Sequence, residues 1–170
     1  MKHLAFKAIV LFCLSTLLVT TSFAQVSATA TATATVVTAI AITKTVDMNF
    51  GNISTSATPG TVILTPAGTR SVTGGVTLPA SAGTVTAASF TVTGLGTSTY
   101  AITLPSTVTI VTSSANTMNV NLFTSTPALT GTLVAGSQTI TVGATLNVAG
   151  SQPAGLYVSG IPFTVTVNYN

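Results

Sequence analysis

The sequence predicts an all-β protein built as an antiparallel sandwich, and three observations support this prediction. Threonine and valine, whose branched side chains suit a pleated sheet, are abundant from residue 25 onward, whereas charged residues make up only 3% of the chain. No segment shows the 3.6-residue apolar period of an amphipathic helix. Turn-forming residues interrupt short alternating segments about every 8 to 12 residues, a spacing typical of sandwiches and barrels.

The candidate strands are the alternating or β-branched segments, taken in chain order. They cover residues 39–50, 61–64, 69–73, 76–78, 88–93, 99–104, 107–111, 118–123, 138–142, 145–148 and 163–168. Glycine and proline mark the expected breaks because they supply the backbone angles that turns require. These breaks lie at residues 59–60, 66–68, 74–75, 94–96, 127, 143 and 153–155.

The last predicted strand has the clearest alternation of side chains. Its even-numbered positions carry Thr164, Thr166 and Asn168, and its odd-numbered positions carry large apolar residues. Since successive side chains of a strand point to opposite faces, one face is expected in the core and the other in solvent. The expected core face comprises Phe163, Val165, Val167 and Tyr169.

The first 24 residues have the organisation of a secretory signal peptide. Lys2 and Lys7 precede or border an apolar run over residues 8–19, and Ser22 and Ala24 supply small side chains at the expected cleavage site. The run has about 12 residues, fewer than the roughly 20 that a membrane-spanning helix needs. We therefore expect export, cleavage after Ala24, and a mature chain without a membrane span.

The predicted mature chain begins with a repetitive extension at residues 25–36, ahead of a sandwich domain predicted over residues 37–170. Threonine alternates with small apolar residues, which gives the period of 2 that is typical of a strand. The apolar positions are Val26, Ala28, Ala30, Ala32, Ala34 and Val36. Three interpretations remain open, namely a flexible tail, the first strand of the chain's own sandwich, or a strand donated to another molecule.

Titratable side chains are nearly absent from the predicted mature chain. Residues 25–170 hold one lysine, one arginine and one aspartate, and no histidine, cysteine or glutamate. Acid–base catalysis, metal binding and nucleic-acid binding each require several such groups. We therefore predict no catalytic residue, no metal site, no cofactor, no enzyme activity and no nucleic-acid partner. Lys44, Asp47 and Arg70 are expected to aid solubility or protect a sheet edge, and the three tyrosines are expected to pack in the core or at corners.

Three segments carry a family resemblance. They are Thr-Lys-Thr-Val-Asp-Met-Asn-Phe-Gly-Asn-Ile-Ser at residues 43–54, Gly-Thr-Val-Ile-Leu-Thr at residues 60–65, and Gln-Pro-Ala-Gly-Leu-Tyr at residues 152–157 followed by Phe-Thr-Val-Thr-Val-Asn-Tyr at residues 163–169. These segments resemble the secreted bacterial family labelled domain of unknown function 4402. The same landmarks are more distantly similar to those of spore coat protein U and of archaic chaperone-usher pilin subunits.

The resemblance implies an incomplete immunoglobulin-like sandwich that is completed by strand donation. On this basis residues 26–36 are the donor strand, Phe50 and Gly51 close the first strand, and the apolar face of the last strand lines the acceptor groove. The implied protein is an exported structural or adhesive subunit of a fimbria, which passes through the periplasm to the cell surface or the medium. Its implied partners are further copies or homologous subunits, a periplasmic chaperone and an outer-membrane usher. A monomeric secreted module that binds carbohydrate or another surface is the alternative.

Overall fold

The computed structural model describes residues 24–112 and 114–170. The predicted signal peptide therefore lies, apart from Ala24, outside the described residues. Within the described residues, no helix is long and apolar enough to cross a membrane. Every regular element named below is a β-strand.

Eleven strands follow one another along the chain. They are β1 (Ala41–Val46), β2 (Ser54–Leu64), β3 (Arg70–Thr77), β4 (Ala88–Thr93), β5 (Thr99–Thr103), β6 (Thr107–Val111), β7 (Thr117–Thr126), β8 (Thr130–Thr132), β9 (Ser137–Val148), β10 (Val158–Ser159) and β11 (Thr166–Tyr169). Strands β4 and β6 have the bounds that the sequence predicts.

The strands form a large sheet and a small sheet, and all of their pairings are antiparallel. The large sheet has the order β1-β4-β9-β7-β6-β10, with the β2-β3 hairpin added where β2 pairs with β9. The small sheet has the order β11-β5-β8. Strand β9 is central because it pairs with β4 and then β2 on one side, and with β7 on the other. This architecture confirms the predicted all-β antiparallel sandwich.

The core consists of two apolar clusters. The first lies where β4 and β9 pack against β5 and the C-terminal segment, and it comprises Ala88, Phe90, Val92, Tyr100, Ile102, Leu133, Ile140, Val142, Val165 and Val167. The second lies where β2, β3, β7 and the end of β9 meet, and it comprises Val62, Val76, Met118, Val120, Ala144, Leu146 and Val148. Met48 and Phe123 are partly buried against both clusters and therefore connect them.

Three predicted breaks, at residues 59–60, 74–75 and 143, are wrong, because the strands continue through them. Strand β3 passes through Gly74 and Gly75, and β9 passes through Gly143. Gly74 has a φ of +63° and faces Gly60 next to an irregularity in the β2-β3 ladder, so the glycine permits a bulge instead of a turn. At Gly143, a Cβ atom would lie 2.2 Å from the Leu64 carbonyl oxygen, so only glycine fits where the partner of β9 changes from β4 to β2.

Other strand boundaries also differ from the prediction. Strand β2 begins at Ser54 and includes the predicted break at residues 59–60, whereas β1 is shorter than the predicted segment 39–50. The sequence did not predict β8 or β10, which have three and two residues. Strand β8 shows no apolar alternation because its central residue is Gly131, where a Cβ atom would lie 2.2 Å from the Tyr100 ring.

The predicted alternation of the last strand is confirmed, although the strand itself is shorter. Val165 and Val167 are buried, Phe163 and Tyr169 are half-buried, and Thr164, Thr166 and Asn168 are exposed. Regular pairing covers only Thr166–Tyr169, where each residue faces a partner in β5. The three residues before β11 keep the same side-chain phase without belonging to a ladder.

Candidate functional site

Strands β1 and β11 are both sheet edges. Within residues 24–112 and 114–170, β1 pairs only with β4, and β11 pairs only with β5. Each strand therefore presents one row of backbone N–H and C=O groups that no neighbouring strand uses. Such an unpaired edge is a template for an added strand.

The two edges lie at the same margin of the sandwich. The Tyr169 hydroxyl donates a hydrogen bond to the carbonyl oxygen of Thr38, at 2.9 Å, and accepts one from the backbone N–H of Leu95, at 2.7 Å. Strand β1 begins shortly after residue 38, whereas β11 ends at residue 169. The chain therefore runs away from this contact along β1 and towards it along β11. No backbone ladder joins β1 to β11 in the part of the chain that the structure describes.

Half-buried apolar side chains lie between these edges and the first core cluster. On the β1 side they are Ile40, Ile42 and Met48, and on the β11 side they are Phe163 and Tyr169. We call this set, together with the edges of β1 and β11, the acceptor margin. The Phe163 ring lies 6.3 Å from the Phe90 ring in an edge-to-face arrangement and 5.2 Å from the Phe123 ring. These aromatic contacts anchor one end of the margin in the core.

The extension presents its apolar positions to solvent. All side chains from residue 24 to residue 39 are exposed, and residues 24–40 carry no regular secondary structure. Val26 is 93% exposed and Val36 is 97% exposed. The chain divides into the units Met1–Thr35 and Val36–Asn170, so the alanine-threonine repeat belongs to the first unit and the acceptor margin to the second.

The charged side chains have two different environments. Lys44 and Asp47 form an exposed ion pair, with 2.7 Å between Nζ and Oδ1, next to an irregularity at the end of β1. Arg70 is half-buried, and its Nη1 donates hydrogen bonds to the carbonyl oxygens of Phe50 and Asn52. Arg70 thereby holds the turn around Gly51, which has a φ of +68°. Arg70 therefore connects β3 to the turn around Gly51. Because β1 ends at Val46, Phe50 and Gly51 do not close the first strand, which corrects the expectation from the family resemblance.

We expect Arg70→Gln to lower the free energy of unfolding by about 1–3 kcal/mol, because both carbonyl oxygens lose a charged donor. Urea unfolding followed by circular dichroism measures this change. Lys44→Gln is the control, since it removes an exposed ion pair that contributes at most about 1 kcal/mol. Equal stability of the wild type and Arg70→Gln would contradict the structural role of Arg70.

The tyrosine hydroxyls are used in packing. Tyr100 is fully buried, its hydroxyl donates to Gln138 Oε1 at 2.6 Å, and burial raises the pKa of this hydroxyl. Tyr157 is half-buried, and its hydroxyl donates to the carbonyl oxygen of Pro153 while it accepts a hydrogen bond from Gln152. The Tyr169 hydroxyl binds the backbone groups of Thr38 and Leu95 at the acceptor margin. The three rings therefore lie at separate positions in the core and at corners, and they do not form a common stacking surface.

The sequence predicted a strand over residues 39–50 and an apolar face on the C-terminal strand. It did not indicate that these two strands are neighbours, or which contacts position them. The backbone groups of Thr38 and Leu95 that bind Tyr169 gave no signal, because any residue type supplies them. Among the described residues, no group of three or more His, Cys, Asp or Glu side chains could hold a metal ion.

Comparison with curated proteins finds no match, and comparison with solved structures finds none either. A family model does match the chain. The match runs from residue 40 to residue 169, which includes both edges of the acceptor margin and all eleven strands but not the extension. The chain therefore belongs to the family described as Domain of unknown function (DUF4402).

Proposed function

We propose that this protein is an exported structural subunit that assembles by strand donation, in which residues 26–36 of one copy fill the acceptor margin of the next. The observation that carries the proposal is the pair of unpaired edges, β1 and β11, at one margin of the sandwich. Between them lie half-buried apolar side chains that a further strand would cover. The distant similarity to pilin subunits supports the same interpretation.

The two free edges of the margin suit an extended segment, because a strand added to either edge gains backbone partners there. Some Cα atoms of β1 and β11 lie within 8 Å of each other, less than the roughly 9.5 Å that a strand paired with both needs, so the two edges must separate before one strand can pair with both. Because β1 and β11 run in opposite directions, the inserted strand is parallel to one and antiparallel to the other. The insertion would join the large sheet to the small sheet, and the margin would no longer contain a free edge.

The chemistry of the extension matches this margin. Its alternation presents alanine methyl groups on one face and threonine hydroxyls on the other. Phe163, Tyr169 and Ile42 are half-buried against the first core cluster, so the alanine methyl groups of a donated strand would contact the exposed parts of these side chains. Residues 26–36 extend over about 36 Å, compared with about 23 Å for residues 163–169, so the donor is long enough for the whole margin.

Donation to a second molecule is favoured over insertion into the same molecule. For the extension to become the first strand of its own sandwich, the chain must reverse between Val36 and Ala41. No turn is assigned there, and the carbonyl group of Thr38 is bound by Tyr169 at the end of the margin. A free tail would not explain why apolar residues occupy every second position from residue 26 to residue 36. Only residues 37–40 separate this alternating segment from β1.

The proposed route follows from the same features. We propose that the signal peptide at residues 1–24 directs export, and that the mature chain passes through the periplasm to the cell surface or the medium. A periplasmic chaperone would cover the acceptor margin during this passage, and an outer-membrane usher would exchange the chaperone for the next subunit. The role is structural or adhesive and involves no catalytic step or cofactor.

The test is negative-stain microscopy of two purified chains, one beginning at residue 25 and one at residue 37. We expect filaments from the longer chain and only small particles from the shorter one. A synthetic peptide of residues 26–36 should bind the shorter chain with one peptide per subunit. Filaments from the shorter chain would contradict the proposal. Uniform monomers of the longer chain at high concentration would favour the monomeric binding module instead.

A further inference from the structure

A depression on the outer face of the large sheet is separate from the acceptor margin. It has a volume of about 530 Å³ and lies where β2, β7 and the end of β9 run side by side. Thr61, Asn147 and Asn119 are direct cross-strand neighbours in one row of this face. Their strand neighbours Val62, Val148 and Val120 point into the second core cluster, so the row points outward.

Polar groups around this depression have unused hydrogen-bonding capacity. The side-chain hydrogen bonds of Asn119 and Asn147 leave Asn119 Nδ2 and Asn147 Oδ1 without a partner among the described residues. The backbone carbonyl oxygen of Thr117 accepts a hydrogen bond from Gln152, and the Thr117 hydroxyl has no partner among the residues that the structure describes. A donor, an acceptor and a hydroxyl, which is both, are therefore available around one shallow, open surface.

Gln152 is held in a fixed orientation at the rim. Its Nε2 donates to the carbonyl oxygen of Thr117 at 3.0 Å and to the Tyr157 hydroxyl at 2.8 Å, and the Tyr157 hydroxyl in turn donates to Pro153. Both donor hydrogens of the amide are thus used, and Oε1 has no partner in the described chain. The Gln-Pro-Ala-Gly-Leu-Tyr segment is not part of the acceptor margin. Its hydrogen bonds fix the Gln152 amide, so that Oε1 is available as an acceptor at the depression.

From this arrangement we propose that the depression is a binding site for a neutral carbohydrate. Sugars present adjacent hydroxyls that donate and accept at once, which matches paired amide and hydroxyl groups. The exposed side chains of Pro59 and Ala149 supply apolar surface for the C–H face of a sugar ring. This inference goes beyond subunit assembly and would give each subunit its own attachment site.

Two other ligand classes fit the depression less well. Its lining contains no charged side chain, so an anionic or cationic ligand would lose water without gaining an ion pair. A peptide strand would need a free backbone edge, whereas β9 is paired on both sides at this position. A neutral ligand that binds through side chains avoids both difficulties.

The test is a binding assay of the exported chain on insoluble cellulose, chitin, starch and mannan, with soluble oligosaccharides of each as competitors. We expect retention on at least one of them and release by the matching oligosaccharide. The double variant Thr117→Val, Asn119→Asp, which keeps the size of both side chains, should bind at least tenfold more weakly. Thr139→Val, which changes an exposed threonine of β9 outside the depression, should bind as the wild type does.

Three outcomes would overturn this proposal. They are no retention on any of the four polysaccharides, unchanged binding by the double variant, and, in a parallel assay on immobilised anionic alginate, stronger retention that is lost at high salt. If the double variant does not fold, as judged by its melting curve, Thr117→Val alone replaces it, with an expected loss of at least threefold. The site lies within residues 59–152, so filament formation and carbohydrate binding can fail independently.

Discussion

Val165→Asp should prevent stable folding of the sandwich domain, whereas Thr166→Asp should be tolerated. Val165 is 7% exposed and belongs to the first core cluster, while the adjacent Thr166 is exposed on the opposite face. An unpaired carboxylate in an apolar core costs several kcal/mol, which is a large part of the roughly 5–15 kcal/mol that stabilises a typical domain. We expect a loss of about 4 kcal/mol or more for Val165→Asp and less than about 1 kcal/mol for Thr166→Asp.

Urea unfolding of the purified variants measures this difference, and the yield of exported protein provides a second measurement. Val165→Ala separates the effect of charge from that of lost volume, because it removes two methyl groups without adding a carboxylate. Its expected cost is about 2 kcal/mol. Similar losses for Val165→Asp and Thr166→Asp would show that the two residues do not lie on opposite faces.

The double variant Ala30→Asp, Ala32→Asp should lose filament formation while its domain remains as stable as the wild type. Both alanines lie on the face of the extension that the proposal places against the acceptor margin, and two buried carboxylates would oppose insertion by several kcal/mol. The melting temperature of the monomer should not change, because both side chains are exposed in the isolated chain. Filament yield is measured by sedimentation and by negative-stain microscopy.

Thr31→Asp, Thr33→Asp is the matched control, since it adds the same charge to the same segment on the opposite face. We expect this control to form filaments. A single alanine substitution is less informative, because an alanine-threonine repeat can move by two residues and keep the same face buried. Normal filaments from the double alanine variant would contradict strand donation and leave the extension as a tail.

The sequence predicted those features of the fold that depend on side-chain period alone. Strands β4 and β6 have their predicted bounds, and the inward and outward positions of the C-terminal segment are correct. These predictions succeed because alternate residues of a strand face opposite sides whatever its partners are. The same reasoning predicted the β-class from abundant threonine and valine.

Glycine-based boundaries were less predictable, since glycine has several uses in a sheet. At Gly68 it lies in the turn between β2 and β3 with a φ of +81°. At Gly74 it permits a bulge, and at Gly143 and Gly131 it permits close contact with a carbonyl group or an aromatic ring. Which of these applies depends on the strand or side chain that lies opposite, and a local sequence pattern does not contain that information.

The sequence by itself therefore determined the β-class of this protein, the apolar face of its last strand and the near absence of titratable chemistry. Only the tertiary structure decided that β1 and β11 are neighbouring free edges, that Tyr169 joins them through Thr38, and that Asn119 and Asn147 meet beside Gln152. The physical reason is that alternation is a property of one strand, whereas an edge or a cross-strand row is created by pairing between residues far apart in the chain.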